Sequence, residues 1–311
     1  MLRLPAANGV ELLRVEPRGG LLAAVLRQDG AERVQLTRRL VLATGRGGTG
    51  GFAVPPGIDP GLLPDLAAHG GGPVDFAALR GRRIAVIGGG PTAWDNAATA
   101  LERGAARVDM YVRRAVLPQV NKGRGSAHPG FFEGWATLPP AEKWRILAYM
   151  HDLQSPPPHE SIHRALRLEG FHIHLGTPVL GAARQDGRVR LDLGGGRTEA
   201  VDFLILGTGY GIDARRIAEL AALAPRIATW ADRFTPPPGQ DRPELGRFPW
   251  LGRGSSWPGA RQRTTRCCPA STCSAMPPSP AWAPLPPTCR ASRPGRSAWR
   301  TGSPPGFSPR I

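Results

Sequence analysis

Cysteine is missing from most of this chain. The 311 residues include four cysteines, all near the C-terminus: Cys267, Cys268, Cys273 and Cys289. Enzymes that exchange thiols and disulfides need a reactive cysteine pair in their catalytic core, and residues 1–266 offer none. The spacing of the four cysteines also differs from that of a zinc site. The sequence therefore argues against thiol–disulfide chemistry and against zinc binding.

Long apolar runs are missing as well. No stretch of eighteen apolar residues occurs, although a membrane-spanning helix needs about 20 of them. The N-terminus has no signal-peptide pattern. We therefore expect a cytoplasmic protein without a membrane partner. A length of 311 residues suits one large or two modest domains.

Acidic residues are missing from residues 245–311. This region contains ten arginines and thirteen prolines but no Asp, Glu, Lys or His, so it supplies +10 of the formal net charge of +16. Because residues 1–244 carry only +6, the net charge does not indicate a nucleic-acid partner for the chain as a whole.

Two interpretations of the tail, residues 251–311, are open. One is the out-of-frame translation of a GC-rich gene, with the shift near residues 251–256, because shifted GC-rich codons yield mainly Arg, Pro, Ser and Ala. The other is a genuine Pro/Arg-rich disordered tail that binds nucleic acid or an acidic partner. Both predict that the tail does not pack as a core.

What the chain does contain is a dinucleotide-binding pattern. A short apolar strand is predicted to end at Ile87, and a helix and a second strand are predicted over residues 95–103 and 107–112. Between the first strand and the helix lies a Gly-x-Gly-x-x-Ala turn formed by Gly88, Gly89, Gly90, Pro91, Thr92 and Ala93. A strand, a glycine turn, a helix and a strand in this order are typical of dinucleotide binding.

The small residues of this turn have distinct expected roles. Gly88 permits the tight bend, Gly90 lets the backbone approach a pyrophosphate, and Ala93 lets the helix pack closely on the strand. The helix N-terminus offers N–H groups and the positive end of its dipole to the phosphates. The turn is therefore the predicted pyrophosphate site.

The second strand indicates which nucleotide is preferred. NAD-binding units place an acid near the end of this strand to hold the ribose 2′-hydroxyl. Here Arg113 and Arg114 follow the strand, whereas Asp109 lies inside it. A guanidinium group suits a 2′-phosphate, so we predict NADPH rather than NADH. Ordinary solvated arginines are the alternative.

Two further apolar strands end in a Thr-Gly corner. Residues 40–45 read Leu-Val-Leu-Ala-Thr-Gly, and residues 203–210 read Phe-Leu-Ile-Leu-Gly-Thr-Gly-Tyr. Such corners let the backbone approach a ligand without an intervening side chain. With these corners on either side of the dinucleotide unit, the chain resembles flavoproteins that have two dinucleotide-binding domains. It is most similar to the flavin-containing and N-hydroxylating monooxygenases, over about residues 10–215.

The resemblance implies an α/β fold in which a Rossmann-like NAD(P)-binding domain is inserted in a partial FAD-binding domain. It implies FAD and NADPH as cofactors, with NADPH reducing a flavin that activates oxygen for a small-molecule substrate. Thr44 and Gly45 would close the first FAD segment, and Gly209 and Tyr210 would face flavin or line the domain junction. The expected domains are FAD-binding residues 1–78 and 201–250, NAD(P)-binding residues 79–200, and the disordered C-terminal tail.

The chain departs from the family pattern in two places. The family's N-terminal FAD-binding Gly-x-Gly-x-x-Gly is not matched, and residues 10–15, 21–27 and 33–36 instead predict a β-meander. We therefore expect that the first part of the FAD domain is missing, and a separate partner chain is one possible source of it. The Baeyer–Villiger signature is not matched either, and only Pro55-Pro56-Gly57 and His69 occupy comparable places.

The region between the two Thr-Gly corners offers weaker candidates. Helices are predicted over residues 139–150 and 159–168, and strands over 171–175 and 189–193. A glycine-rich loop carries three residues that are candidates for phosphate or substrate contact: Lys122, Arg124 and His128. Two histidine pairs lack a third ligand, so we expect no metal site: His159 with His163, and His172 with His174.

No catalytic side chain stands out in the sequence. This fits a flavin monooxygenase, in which the cofactor carries the chemistry and the protein supplies binding and orientation. Three alternatives stay open at this point. The chain could be an inactive truncated nucleotide-binding remnant, an NADPH-binding regulatory module without flavin chemistry, or a flavin reductase that serves a partner.

Overall fold

The chain opens with the predicted β-meander. A computed structural model describes residues 6–45, 47–252 and 272–275. Three antiparallel strands pair in chain order: β1 (Val10–Arg18), β2 (Leu21–Gln28) and β3 (Ala31–Thr37). The two turns between them, Gly19-Gly20 and Asp29-Gly30, have positive φ at all four residues. Two-residue hairpin turns require this conformation, so the turn sequences fix the register of the sheet.

The predicted dinucleotide unit also forms. The elements that lead to it and build it are β4 (Arg39–Leu42), β5 (Ala67–His69), β6 (Arg83–Ile87), α1 (Pro91–Glu102) and β7 (Arg107–Val112). The strand β7 has the predicted bounds. The helix begins at Pro91 rather than at residue 95, because proline is well tolerated in the first turn, where its missing N–H has no partner to lose.

Three helices and a strand follow in the region between the two Thr-Gly corners. They are α2 (Pro129–Trp135), α3 (Pro140–Leu153), α4 (His159–Leu166) and β8 (Phe171–Leu175). The predicted helices and the predicted strand are therefore present, with α2 as an addition. On α3, Trp144 and Ala148 are buried, which is the apolar face that helical spacing indicates.

A small antiparallel sheet precedes the return of the chain. It consists of β9 (Gly181–Gln185), β10 (Arg188–Asp192) and β11 (Thr198–Val201), with β10 in the centre. The last elements are β12 (Phe203–Leu206), α5 (Pro243–Gly246) and β13 (Thr272–Ala275). The apolar strand predicted before the second Thr-Gly corner is β12, whereas β11, which directly precedes it, belongs to the small antiparallel sheet.

Most of the predicted tail lies outside the described residues, so its two interpretations stay predictions there. The exception is β13, which pairs in parallel with β4. At these four residues the structure has a strand where we expect disorder. A short edge strand such as β4 offers unpaired backbone groups that can recruit a further strand.

The central sheet is parallel and has the order β5-β12-β6-β7-β8. Along the chain, β6, β7 and β8 progress to one side, whereas β12 pairs with the other edge of β6. The strand order therefore reverses between β6 and β12, and open α/β sheets bind ligands at such a switch point. The expected domain boundaries at residues 78 and 200 assign β5 and β12 to the FAD-binding unit, whereas in the structure both strands belong to this sheet.

The two faces of the central sheet are covered differently. Ile84 and Val86 of β6 pack with Ala97 of α1 and with α4 on one face. The alternate residue, Ala85, faces the other side and packs with Leu191 of the β9–β11 sheet. Successive side chains of a strand point to opposite faces, so burial on both faces explains the continuous apolar run of β6.

The meander packs with the segment that follows the central sheet. Val15 and Leu22 form one buried cluster with Leu220, Leu223 and Ile227. The N-terminal strands and the returning chain therefore share a core, as the inserted-domain resemblance implies. Within the described residues, no helix is long and apolar enough to cross a membrane.

Candidate dinucleotide site and domain junction

The glycine turn lies directly against the corner that follows β12. Gly88 has φ +123°, and a Cβ atom there would overlap the carbonyl oxygen of Gly207. A Cβ at Gly207 would in turn lie 2.6 Å from the Cβ of Ala93. Small residues at these three positions let two strands and the helix meet at the switch point. The structure therefore brings together two motifs that the sequence separates by more than one hundred residues.

The start of α1 is open on its outer side. Gly90 is the N-cap residue and has φ −81° and ψ 172°. A Cβ atom at Gly90 would meet no atom within 4 Å, and the first turn of α1 contains no acidic residue. An anion can therefore approach the helix N-terminus, where the dipole is positive. This placement suits the predicted pyrophosphate role of Gly90 and Thr92.

The last residue of β7 and the loop that follows it pack against the glycine turn. A Cβ atom at Gly89 would lie 3.0 Å from Cδ2 of Leu117 and 3.0 Å from Cγ1 of Val112. The loop that follows Arg114 thus crosses the carboxyl end of the sheet and reaches the turn.

The two predicted 2′-phosphate ligands differ in their surroundings. Arg114 donates from Nη2 to the carbonyl oxygen of Asp152 at 2.7 Å, which ties it to the end of α3. Arg113 is exposed, and its guanidinium has no hydrogen bond or ion pair within the part of the chain that the structure describes. Arg113 is therefore available to an anion, whereas Arg114 already holds a structural bond.

Asp109 is a structural carboxylate. It is fully buried in β7 and accepts hydrogen bonds from Arg107 at 2.8 Å and from Arg83 at 3.0 Å, while Nε2 of His174 lies 2.9 Å away. Burial alone would raise the pKa of Asp109, but the bonds from Arg107, His174 and Arg83 hold this pKa well below its usual value. A carboxylate used in this way cannot hold a ribose hydroxyl, which agrees with the expectation for Asp109.

Two crossings connect the central sheet to the body that contains the meander. The outgoing crossing, residues 49–53, and the return crossing, residues 208–213, run antiparallel. Their backbone bonds are Ala53 N to Gly209 O at 3.0 Å, Gly211 N to Gly51 O at 2.9 Å and Asp213 N to Thr49 O at 2.8 Å. The Thr208 hydroxyl also donates to the Ala53 carbonyl. The crossings therefore form one ladder.

The four predicted flavin-side residues divide into two pairs. Gly209, with φ +81°, and Tyr210 belong to the ladder, and Tyr210 forms a bridge with Phe52. Thr44 and Gly45 are exposed just beyond β4, and Gly45 has φ +68°. Tyr210 therefore lines the domain junction. Thr44 and Gly45 form an exposed corner a few residues before the outgoing crossing.

An aromatic niche at the junction was not predicted as a site. His69 at the end of β5 stacks on Phe52, with ring centroids 4.1 Å apart, and Tyr210 lies 5.7 Å from Phe52. The N–H of Gly71 donates to Nδ1 of His69 at 3.0 Å. Burial lowers the pKa of His69, and the carbonyl of Gly209 offsets part of this effect. In the sequence, His69 stands out only through its place relative to the unmatched Baeyer–Villiger signature and through the glycines that follow it.

Two further candidates from the glycine-rich loop, His128 and Arg124, have different surroundings. His128 caps α2, because its Nδ1 accepts the N–H of Gly130 at 3.1 Å. Arg124 lies in the short helical segment Lys122–Ala127 and is exposed. Across residues 6–45 and 47–252, the structure shows no group of three or more His, Cys, Asp or Glu side chains that could hold a metal ion.

These features define a class of protein. A parallel sheet with a glycine turn at its switch point, joined by paired crossings to a second body, is the architecture of oxidoreductases that bind nicotinamide nucleotides. A family model for pyridine nucleotide-disulphide oxidoreductases matches residues 9–224. The chain belongs to this family, and the predicted resemblance to its flavin-dependent monooxygenases is confirmed.

One relative extends the comparison along the chain. The FAD-dependent urate hydroxylase of Xanthomonas campestris pv. campestris is 40% identical over 260 residues. The match covers 81% of this chain and 53% of that enzyme. The chain therefore spans about half the length of the relative that it matches.

Solved structures of similar fold include two hydroxylating enzymes. Ornithine hydroxylase from Pseudomonas aeruginosa is 26% identical, has a TM-score of 0.54, and is matched over 70% of this chain and 58% of its own. L-lysine 6-monooxygenase from Pseudomonas syringae is 18% identical, with a TM-score of 0.57 and coverage of 86% and 62%. The second likeness concerns the fold alone.

Proposed function

We propose that this chain supplies the nicotinamide nucleotide-binding unit, and part of the flavin-binding unit, of an FAD-dependent hydroxylase. The observation that carries the proposal is the contact of Gly88 with Gly207 at the switch point of the central sheet. Next to that contact, the N-terminus of α1 is open at Gly90, where the positive end of the helix dipole favours phosphate.

The described residues fit a nicotinamide dinucleotide. Gly88, Gly90 and Thr92 would hold the pyrophosphate, because the space beyond Gly90 is free of atoms within 4 Å. Arg113 would bind a 2′-phosphate, since its guanidinium is exposed and unpaired within the described residues. This arrangement favours NADPH over NADH.

The fit to FAD rests on fewer residues. Thr44, Gly45 and the Gly209–Tyr210 corner are the described positions that would face flavin, and the related urate hydroxylase is FAD-dependent. When bound, the two cofactors supply the redox chemistry that leads to oxygen activation. The protein would bind and orient them, and the ladder of the two crossings would connect the parts of the chain that hold them.

The substrate proposal follows the related enzyme. That enzyme hydroxylates urate, and the similar structures act on ornithine and lysine. Because the urate hydroxylase shares 40% identity over 260 residues, we propose an oxidised purine as the substrate class. A cytoplasmic location and a partner chain that completes the FAD site are further parts of this proposal.

Visible absorption tests the proposal directly. The purified full chain is incubated with excess FAD, passed through a desalting column, and then mixed with NADPH without oxygen. We expect a retained flavin band that NADPH bleaches, and air with urate should then restore the band while producing hydroxylated urate.

Two other outcomes would contradict the proposal. A colourless chain that still binds NADPH would favour an NADPH-binding module without flavin chemistry. Bleaching followed by reduction of an added cytochrome, with no hydroxylated product, would favour a flavin reductase. Ornithine and lysine serve as comparison substrates, so that an amine hydroxylase is recognised by its product.

A further inference from the structure

The ladder of the two crossings carries large side chains on one side only. Phe52 and Tyr210 are bridged across the ladder, and both turn their rings toward His69. Alternate residues of paired extended segments point to opposite sides, so the residues next to this pair face the other way. We call the surface that these neighbours form the glycine platform; its residues are Gly51, Ala53, Gly209 and Gly211.

The glycine platform is open above its backbone. A Cβ atom at Gly51 or at Gly209 would meet no atom within 4 Å among the described residues beyond its chain neighbours. Beneath it the crossings are tightly packed, because a Cβ atom at Gly50 would lie 2.7 Å from the backbone nitrogen of Asp213. A flat ligand can therefore lie against peptide planes that the ladder holds in place.

One guanidinium group borders the glycine platform. A Cβ atom at Gly211 would lie 3.5 Å from Nη1 of Arg216, which belongs to the short helical turn after the return crossing. Arg216 is exposed, and its guanidinium forms no hydrogen bond or ion pair within the residues that the structure describes. Its neighbour Arg215 instead donates to the carboxylate of Asp232 at 2.6 Å. Of these two arginines, Arg216 is the one that can pair with an anion on the platform.

The glycine platform lies beside both proposed cofactor sites. Gly209 is two residues beyond Gly207, whose carbonyl oxygen lies against Gly88 at the switch point. Gly51 lies a few residues beyond the exposed Thr44–Gly45 corner. A substrate that is hydroxylated with the help of both cofactors has to be held close to them, and the junction of the two bodies meets this requirement.

We propose that the glycine platform and Arg216 form the substrate subsite, and that this subsite holds a planar heteroaromatic anion of the oxidised-purine class. This inference rests on the proposed function and adds the residues that would hold the substrate. The fused ring lies flat on the peptide planes, and the planar guanidinium fork pairs with two neighbouring acceptor atoms at the anionic edge of the ring. Urate, which is flat and anionic at neutral pH, has this shape and charge. The cationic amine of ornithine or lysine would be repelled by Arg216.

Three substitutions separate charge from shape. Arg216→Gln removes the charge, Arg216→Lys keeps the charge without the planar fork, and Gly211→Ala adds a methyl group at ordinary contact distance from Arg216. Arg226→Gln removes another exposed arginine from the segment that follows and is the matched control. Because the Arg216 guanidinium has no partner among the described residues, Arg216→Gln should unfold in urea at the same concentration as the wild type.

Urate is the probe, and calorimetric titration of the full chain gives its dissociation constant, with neutral hypoxanthine as the comparison ligand. We expect Arg216→Gln to weaken urate binding about 10- to 100-fold, as loss of a charge-assisted bond does, and to leave hypoxanthine binding unchanged. Arg216→Lys should recover part of the loss, and Arg226→Gln should match the wild type. Gly211→Ala should weaken both ligands alike, because the methyl group occupies the plane that both rings share.

The outcomes separate this inference from the proposed function. Equal urate affinity in Arg216→Gln and the wild type overturns the subsite and leaves the proposed function intact. Equal affinity of the unchanged protein for urate and hypoxanthine overturns it as well, and this comparison does not depend on how any variant folds. Loss of the retained flavin band in Arg216→Gln, with urate binding preserved, would assign the platform to flavin instead of substrate. Failure of the wild type to bind urate overturns the substrate class in the proposed function itself.

Discussion

The central parallel sheet and the N-terminal meander bury their strands very differently. Three of the five residues of β6 are buried, whereas β3 exposes six of its seven residues. On this edge strand, Val34 is 50% exposed and Leu36 is 46% exposed. Both faces of the central sheet are covered: α1 and α4 pack on one face, and the β9–β11 sheet packs on the other.

This difference extends to the two proposed nucleotide sites. At the switch point, the glycine turn, the corner after β12 and the start of α1 all come from this chain and fit against one another. Beside the meander, Thr44 and Gly45 stand exposed with no second motif facing them among the described residues. The described residues thus contact the proposed dinucleotide site from two sides and provide only one corner of the proposed flavin site.

The largest expected effect is a loss of stability from a substitution at the contact of Gly88 with Gly207. Gly88→Ala would place a Cβ against the carbonyl of Gly207 at φ +123°, so we expect a loss of stability of about 3 kcal/mol or more from strain and overpacking. Urea unfolding measures it. Gly90→Ala is the matched control, because its Cβ meets no atom within 4 Å.

The two glycine variants should separate folding from binding. Gly90→Ala should keep wild-type stability but weaken NADP+ binding, since the methyl group occupies the approach to the helix N-terminus. Equal stability of Gly88→Ala and wild type would contradict the close contact at the switch point and remove the main support for the site.

The next effect concerns nucleotide preference. Arg113→Ala should weaken NADPH binding about 10- to 100-fold and leave NADH binding nearly unchanged, because a charge-assisted bond to phosphate contributes about 1.5–3 kcal/mol. Titration with both nucleotides measures the preference. Arg114→Ala is the comparison, since its guanidinium is bonded to the Asp152 carbonyl. If Arg114→Ala removes the preference and Arg113→Ala does not, the assignment is reversed.

The dinucleotide unit was predictable because its signals are local. The strand, turn, helix and second strand occupy about thirty residues, and each follows from its own pattern. The contact of Gly88 with Gly207 was not predictable in the same way, since it depends on β12 pairing with β6 across more than one hundred residues. Only the resemblance to two-domain flavoproteins indicated that these segments belong together.

Short strands that lack an alternating apolar pattern were also not predicted from the sequence. β5 has three residues, and β9 reads Gly-Ala-Ala-Arg-Gln, which has low intrinsic preference for strand. Pairing with β12 holds β5 in its sheet, and pairing with β10 holds β9 in its sheet. The Asp186-Gly187 pair before β10, with φ of 50° and 72°, was the one usable hairpin signal for β9. The ion pairs of Asp109 likewise join three strands and leave no trace in local sequence.

A smaller effect is expected from pH, through His69 at the junction. Because burial lowers its pKa, the unfolded chain takes up a proton near pH 6.5 while the folded chain does not. The contribution of His69 to stability is therefore complete above about pH 6.5 and falls as the pH drops toward the lowered pKa, by at most about 1.4 kcal/mol per pH unit.

Unfolding by urea between pH 7.5 and 5 measures this contribution. His69→Phe should show a shallower loss of stability over this range than the wild type. The titratable groups on the neighbouring crossings are Tyr210 and Asp213, and Arg216 follows the return crossing; no ion pair joins these groups to His69 among the described residues. Identical slopes for the variant and the wild type would contradict a neutral, buried imidazole at this position.

The smallest effect is expected on the exposed side of the comparison, and it tests whether the meander face is free. Val34 and Val25 are paired across β3 and β2, yet Val25 is only 4% exposed. Val34→Thr should change the free energy of unfolding by less than about 0.5 kcal/mol, as surface substitutions do. Val25→Thr should destabilise the folded state by about 1–3 kcal/mol, because it buries a hydroxyl group for which the site provides no hydrogen-bond partner. A large loss in Val34→Thr would mean that this face is covered in solution, and the contrast between the two regions would then have to be abandoned.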